Sequence, residues 1–175
     1  VEALRREFGS ALLEDAAGDI VASIAELLRD RDWMLAVAES CTGGGIAAKI
    51  TDLPGSSEFF AGGLVTYSND WKRRHLGVAN EILADEGAVS EACAREMVRG
   101  LLDRTGADAG IAVTGIAGPG GGSAEKPVGL VYIATAIPGS AKVHRFVFPG
   151  NRSTVRQRTV STALTLLRQA LLAVG

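Results

Sequence analysis

Ser40 is the residue of this sequence that is best placed for nucleophilic chemistry. It follows Trp33–Ala38, a continuous apolar run of strand length, and precedes Thr42–Thr51, which begins in three glycines and predicts a helix. A turn from a buried strand into a helix projects a side chain beyond the carboxyl end of the sheet, the usual ligand side of an α/β fold. The N–H groups at such a helix start favour negative charge and could form an oxyanion hole. The alternative is that Ser40 and Thr42 only cap the helix.

A serine nucleophile needs a base, and Lys72 is the candidate. No His–Asp pair is recognisable near Ser40, His75 stands by itself, and His144 alternates along a predicted strand as a solvent-facing residue does. A lysine can act as a base when it is neutral, which requires burial or neighbouring positive charge to lower its pKa. Two arginines follow Lys72 directly. A basic run of this kind also fits a solvated helix face.

Two further segments could bind a polar or anionic ligand. Thr114–Ser123 follows a predicted strand and is rich in glycine, but it lacks both the Walker A lysine and the G-x-G-x-x-G spacing. It predicts a flexible loop with many backbone N–H donors. Gly150–Arg156 places Arg152 and hydroxyl side chains at a predicted helix start, which favours phosphate. An ordinary surface loop and a solvated helix start capped by Asn151 are the respective alternatives.

The elements that must position these residues alternate between strand and helix. Apolar runs and turn residues predict strands at Trp33–Ala38, Ala61–Tyr67, Ala109–Val113, Val128–Ala136 and Lys142–Phe148, the last two joined by a hairpin at Ile137–Ser140. Helical spacing and capping residues predict helices at Leu12–Arg29, Thr42–Thr51 and Asn69–Leu76, from Ser90 to Gly106, and after Asn151, with Asn69 as a cap. This order predicts one α/β domain over residues 1–175, a three-layer α/β/α sandwich with a mixed, mostly parallel sheet.

Composition narrows the class of protein. A formal charge of −2 and a pI of about 5.7 lack the basic excess of a nucleic-acid binder. No apolar run approaches the roughly 20 residues that cross a bilayer, and Val1–Phe8 carries charges where a signal peptide is apolar. Cys41 and Cys93 form neither a disulfide framework nor a metal-ligand cluster. We therefore expect a soluble cytoplasmic protein without a metal site, a nucleic-acid partner or a membrane partner.

Five stretches of the sequence together resemble a known family, the C-terminal domain of the competence/damage-inducible CinA proteins. Its standalone members include nicotinamide mononucleotide deamidases. The resemblance extends over nearly the whole length from Leu35 onward, in family order. The matching stretches are Ala38–Gly44, Leu64–Val78, Thr114–Gly122, Glu125–Gly129 and Gly150–Arg156. The resemblance implies hydrolysis of nicotinamide mononucleotide to nicotinate mononucleotide and ammonia in bacterial pyridine nucleotide salvage, with no metal or cofactor, by a homodimer.

The resemblance also implies roles for individual residues. Ser40 matches the family's nucleophile, Lys72 its general base and Tyr67 a tyrosine that assists them. Arg152 matches an arginine of the substrate site, which we place at the phosphate. The remaining expected substrate contacts lie in the turn and in the glycine loop, at Thr42, Gly43, Gly44, Gly118, Gly120 and Gly121.

The sequence departs from the family pattern at two positions, and two functions other than amide hydrolysis are compatible with it. Trp71 stands where a smaller residue is common, and Gly45 lengthens the glycine run, so that substrate fit can differ. One alternative function is a nucleotide-binding regulatory module without catalysis. The other is an enzyme that uses Cys41, for which no histidine is evidently placed to generate the thiolate.

Overall fold

Five strands form one mixed sheet in the computed structural model, which describes residues 20–174. They are β1 (Leu35–Glu39), β2 (Phe60–Val65), β3 (Ala109–Gly115), β4 (Leu130–Ile137) and β5 (Ser140–Val147), in the order β2-β1-β3-β4-β5. β1 pairs in parallel with β2 and β3, whereas β4 pairs antiparallel with β3 and with β5. All strands except β4 therefore run in the same direction, which confirms the predicted mixed, mostly parallel sheet. The hairpin is also confirmed, because Ile137 pairs with Ser140.

Helices cover both faces of this sheet. They are α1 (Ile20–Arg29), α2 (Gly45–Thr51), α3 (Asn69–Leu76), α4 (Asn80–Asp85), α5 (Glu91–Thr105) and α6 (Arg152–Leu172). One core joins α1, α2 and α6 to residues such as Val37, and a second joins α3 and α5 to residues such as Ala38. Neighbouring residues of β1 thus face opposite cores, because successive side chains of a strand point to opposite faces. The predicted three-layer architecture is confirmed. The helix layer on one face contains α2, and the layer on the other face contains α3.

Several predicted helix ends differ from those observed. Ser68, and not Asn69, caps α3, because the backbone of Ser68 is extended and its Oγ accepts the N–H of Trp71 at 3.2 Å. The helix predicted from Thr42 begins at Gly45, after a turn. Helix α4 was not predicted, since its six residues offer too little periodic pattern. Of the first predicted helix, the part from Ile20 to Arg29 is confirmed and the rest lies outside the described residues.

Other caps agree with their predictions. Ser90 Oγ accepts the N–H of Cys93 at 3.1 Å at the start of α5, and Gly106 ends that helix with a φ of 68°. Asn151 caps α6 through the N–H of Thr154 at 3.0 Å. These local signals need no tertiary contact, which is why sequence alone identifies them. No helix within residues 20–174 is long and apolar enough to cross a membrane.

Candidate active site

Ser40 lies where β1 gives way to a tight turn that leads into α2. Its N–H donates to the carbonyl of Val113 at 3.1 Å, so it extends the ladder between β1 and β3 by one residue. Its carbonyl accepts the N–H of Gly43 at 3.1 Å, which closes the turn. Gly43 and Gly44 have φ values of 61° and 94°, a conformation that residues with a Cβ rarely adopt. The predicted strand–turn–helix therefore exists, and it holds Ser40 at the carboxyl end of a central strand.

Lys72 points from α3 into the protein and reaches Ser40. Its Nζ lies 3.0 Å from Ser40 Oγ, although the two residues are 32 positions apart. The same Nζ donates to the carbonyls of Thr66 at 2.8 Å and Tyr67 at 3.3 Å. A neutral amine has two N–H donors and one lone pair. A neutral Lys72 can satisfy these three contacts by donating its two N–H groups to the carbonyls and directing its lone pair at the hydroxyl of Ser40.

The surroundings of Lys72 favour that neutral form. Its side chain is buried, with 1% of the residue exposed, and no acidic side chain of residues 20–174 forms an ion pair with it. Burial lowers the pKa of Lys72 below its ordinary value, and the thiols of Cys93 and Cys41 oppose this in part. Burial also raises the pKa of each thiol to about 11, so both are uncharged near neutral pH and their opposing effect is weak there.

The two arginines beside Lys72 contribute little to this environment. Arg73 and Arg74 lie on the exposed side of α3 and both pair with Asp70, at 2.7 and 2.8 Å. The hydrogen bonds to these arginines, Arg73 first, hold the pKa of Asp70 below its usual range. Desolvation of Lys72, and not neighbouring positive charge, is therefore the physical cause of its lowered pKa.

Arg152, at the first turn of α6, links Tyr67 to the glycine loop. Its Nη1 donates to the carbonyl of Gly118 at 2.9 Å, and its Nη2 donates to the phenol oxygen of Tyr67, also at 2.9 Å. Tyr67 is 59% exposed, and its hydroxyl makes no hydrogen bond with Ser40 or Lys72. The structure thus brings four of the predicted site residues together with Gly118, but it links the hydroxyl of Tyr67 to the arginine.

The glycine loop, residues 114–123, lies beside Arg152. It runs between β3 and β4, and Gly118 and Gly121 have positive φ values of 84° and 86°. A Cβ at Gly120 would meet no atom within 4 Å, so this exposed position leaves room for a ligand beside the backbone. Lys126 anchors the far end of the loop by donating to the carbonyl of Glu86. The loop is therefore held at both ends and open at its middle.

Thr42 lies in the turn directly after Cys41, and its hydroxyl is buried. Only 1% of the residue is exposed, and its Oγ1 has no hydrogen-bond partner among residues 20–174. Its carbonyl accepts from Arg156 Nη2 at 2.7 Å, which ties the turn to α6. The carbonyl of Thr42 is thus the group of this residue that holds the turn in place.

Glu39 is a buried residue beside Ser40 that sequence reasoning did not single out. Although it ends an otherwise apolar strand, it is 1% exposed, and its carboxylate accepts the N–H groups of Gly44, Ile46 and Ala47 at 3.0, 3.1 and 2.9 Å. These are the helix-start amides that we expected to form the oxyanion hole, so they are already occupied. A charged residue directly beside the nucleophile, a few residues before a predicted helix, was the available signal.

The site offers little support for thiol or metal chemistry. Burial raises the pKa of Cys41 to about 11, which leaves a negligible fraction of thiolate near neutral pH. The described part of the chain contains no group of three or more His, Cys, Asp or Glu side chains that could hold a metal ion. Ser40 and Lys72 are the hydroxyl and the amine that the geometry brings into contact.

A family model, curated relatives and solved structures that are similar to this chain all name the same family. The model of the CinA C-terminal domain matches residues 18–171. A CinA-like protein of Geobacter sulfurreducens is 47% identical over 169 residues, which cover 97% of this chain and 41% of that protein. The solved structure of the competence/damage inducible protein CihA from Agrobacterium tumefaciens is 46% identical with a TM-score of 0.82, and covers 88% of this chain and 96% of its own. A CinA superfamily protein from Klebsiella pneumoniae is 39% identical with a TM-score of 0.84, at the same two coverages. The chain spans about two fifths of the length of the curated relatives it matches.

Proposed function

We propose that this chain, which belongs to the CinA C-terminal domain family, is an amidohydrolase. Its reaction would convert nicotinamide mononucleotide to nicotinate mononucleotide and ammonia. The observation that carries the proposal is the 3.0 Å contact between Ser40 Oγ and the buried Nζ of Lys72. A serine paired with a desolvated lysine is suited to acyl transfer, and a non-catalytic nucleotide-binding module would have no use for that pairing. A carboxamide placed beside Ser40 Oγ is the group that the pair would attack.

The first half-reaction forms an acyl-enzyme. Neutral Lys72 takes the proton of Ser40 while Oγ attacks the carboxamide carbon, and the carbonyl electron pair moves onto oxygen to give a tetrahedral oxyanion. Collapse of this intermediate breaks the C–N bond. The protonated Lys72 returns its proton to the leaving nitrogen, so that ammonia departs and a nicotinoyl ester remains on Ser40.

The second half-reaction restores the enzyme. Water takes the place of ammonia, and Lys72 accepts a proton from it as the water oxygen attacks the ester carbon. The second tetrahedral intermediate collapses with release of Ser40, which regains a proton from Lys72. The product is nicotinate mononucleotide, whose carboxylic acid loses its proton to solvent and leaves as the carboxylate.

Arg152, Tyr67 and the glycine loop would hold the rest of the nucleotide. Arg152 already donates to Tyr67 and Gly118, and its remaining N–H groups would bind the phosphate. Tyr67 would assist by keeping Arg152 and the substrate in place, and the open backbone at Gly120 would contact the ribose. The proposal further includes a homodimer that acts in the cytoplasm, where Cys41 and Cys93 remain reduced.

Ammonia release by the purified protein tests this function. The wild type and Ser40→Ala are incubated with nicotinamide mononucleotide, nicotinamide riboside and nicotinamide, and ammonia is measured with nicotinate formation as a second readout. We expect activity with the nucleotide in the wild type only. Binding of the nucleotide by both proteins without ammonia from either would favour the regulatory module. Loss of activity in Cys41→Ala but not in Ser40→Ala would favour cysteine catalysis.

A further inference from the structure

Glu39 occupies an unusual position beside the nucleophile. Its carboxylate takes three backbone N–H groups, two on Oε2 and one on Oε1, and no basic side chain of residues 20–174 forms an ion pair with it. All three N–H groups belong to the end of the turn and the start of α2. The alternation of β1 directs Glu39 towards α2, and it directs the next residue, Ser40, towards Lys72 on the other side.

Occupation of these amides limits what can stabilise an oxyanion at Ser40. The N–H of Gly43 donates to Ser40 O and that of Gly45 to Thr42 O, so the turn has few donors left. Within residues 20–174 the N–H of Thr42 has no acceptor, and that of Cys41 contacts only its own thiol. These two amides follow the nucleophile directly. They are the donors that the turn can offer to a tetrahedral intermediate.

The backbone of Glu39 also supports the base. Its carbonyl accepts the N–H of Thr66 at 2.8 Å, and the carbonyl of Thr66 in turn accepts from Lys72 Nζ at 2.8 Å. The carboxylate of Glu39 thus holds the turn that contains Ser40. The carbonyl of Glu39 holds Thr66, whose own carbonyl accepts from Lys72.

We propose that Glu39 is a positioning residue that sets the oxyanion site: its carboxylate holds the amides of α2 away from the substrate and leaves those of Cys41 and Thr42 as the oxyanion donors. This inference rests on the proposed acyl-transfer chemistry. It predicts that Glu39 acts on the tetrahedral state and not on binding of the intact substrate.

Glu39→Gln separates these two effects, because a carboxamide has one acceptor oxygen and one NH₂ donor. With three N–H groups around it, the NH₂ must face at least one other donor, so the turn has to shift although the volume is conserved. Loss of a single oxyanion donor typically lowers kcat by about 10²–10³-fold. We expect kcat of Glu39→Gln to fall about a hundredfold, with KM changed by less than about threefold.

Pyridine-3-boronic acid is a direct probe of the tetrahedral state. Its boron takes the place of the carboxamide carbon, accepts Ser40 Oγ and becomes a tetrahedral anion, while the serine proton passes to Lys72. We expect its Kd to rise by the same factor by which kcat/KM falls. Asp108→Asn is the matched control, because Asp108 accepts the N–H of Met34 at 2.9 Å at the opposite end of the same strands. This control should change thermal stability without changing the affinity for the boronic acid.

The outcomes distinguish this inference from the proposed function. If the wild type binds the boronic acid through Ser40 but does not release ammonia from the nucleotide, the proposed substrate is wrong and the boronic acid still tests Glu39. A folded Glu39→Gln variant that binds the boronic acid as tightly as the wild type overturns the inference. Where Glu39→Gln does not fold, Glu39→Asp keeps the charge, shortens the reach and decides the question by the same two measurements.

Discussion

The proposed hydrolysis should depend on pH because Lys72 is buried. An amine with the ordinary pKa of 10.5 is neutral in only roughly one molecule in 3000 at pH 7, and each unit by which the pKa falls raises that fraction about tenfold. Burial lowers the pKa of Lys72, so activity should rise with pH and level off below that ordinary value. The rise belongs to a single ionisation, since only the neutral amine can take the proton of Ser40.

Substitution of Lys72 makes this prediction specific. Lys72→Arg keeps the positive charge but cannot lose a proton at working pH, so we expect a loss of at least about 10³-fold and no rise with pH. Lys72→Ala should be equally inactive and still bind the nucleotide. Arg74→Gln is the matched control, because Arg74 lies on the exposed side of the same helix and pairs with Asp70. The assay is ammonia release between neutral pH and about pH 10. An active Lys72→Arg enzyme with the wild-type pH profile would refute the general-base role.

Stability should follow the same ionisation with a defined sign. The folded-state pKa of Lys72 lies below its unfolded value, so between these two values the unfolded chain binds more protons than the folded one. The free energy of unfolding therefore increases as pH rises through this window, by about 1.4 kcal/mol for each unit of separation between the two pKa values. Lys72→Ala should remove this contribution, which denaturant unfolding at several pH values can measure. A pH dependence identical to that of the wild type would contradict the argument.

Three further substitutions test the other site residues. Ser40→Ala should bind the nucleotide and lose about 10³-fold or more in turnover, and more than a tenth of wild-type activity would exclude Ser40 as the nucleophile. Arg152→Ala should weaken binding of the nucleotide by about ten- to a hundredfold more than binding of the nucleoside, because a charge-assisted hydrogen bond is typically worth about 1.5–3 kcal/mol. Arg158→Gln on the same helix, where Arg158 donates to Pro149 O, is its control, and equal losses for both ligands would place Arg152 away from the phosphate. Cys41→Ala should keep its activity at neutral pH, since the thiol of Cys41 has a pKa of about 11, and an inactive but folded variant would contradict this.

Local signals explain which parts of this structure were predictable. The apolar run of β1 placed Ser40 at the end of a buried strand, and the capping residues Ser90 and Asn151 predicted the starts of α5 and α6. Each of these features depends only on residues that are close in sequence. The contact between Ser40 and Lys72 is different, since it depends on the parallel pairing of β1 with β2. The residues alone made Lys72 a candidate beside the alternative of a solvated helix face, and the family resemblance decided between the two. The position of Glu39 could not be derived from strand periodicity, which would place an acidic residue in solvent. Its burial is possible only because three amides converge on it.

The link from Arg152 to Tyr67 and Gly118 affects how a ligand would be captured. A free arginine side chain loses up to about 2 kcal/mol of rotamer entropy when it is ordered. Here that ordering has already occurred during folding, because two protein acceptors fix the guanidinium at 2.9 Å each. If the phosphate binds here as proposed, it would meet a preorganised cation, and the association step would require little rearrangement of α6 or of the glycine loop.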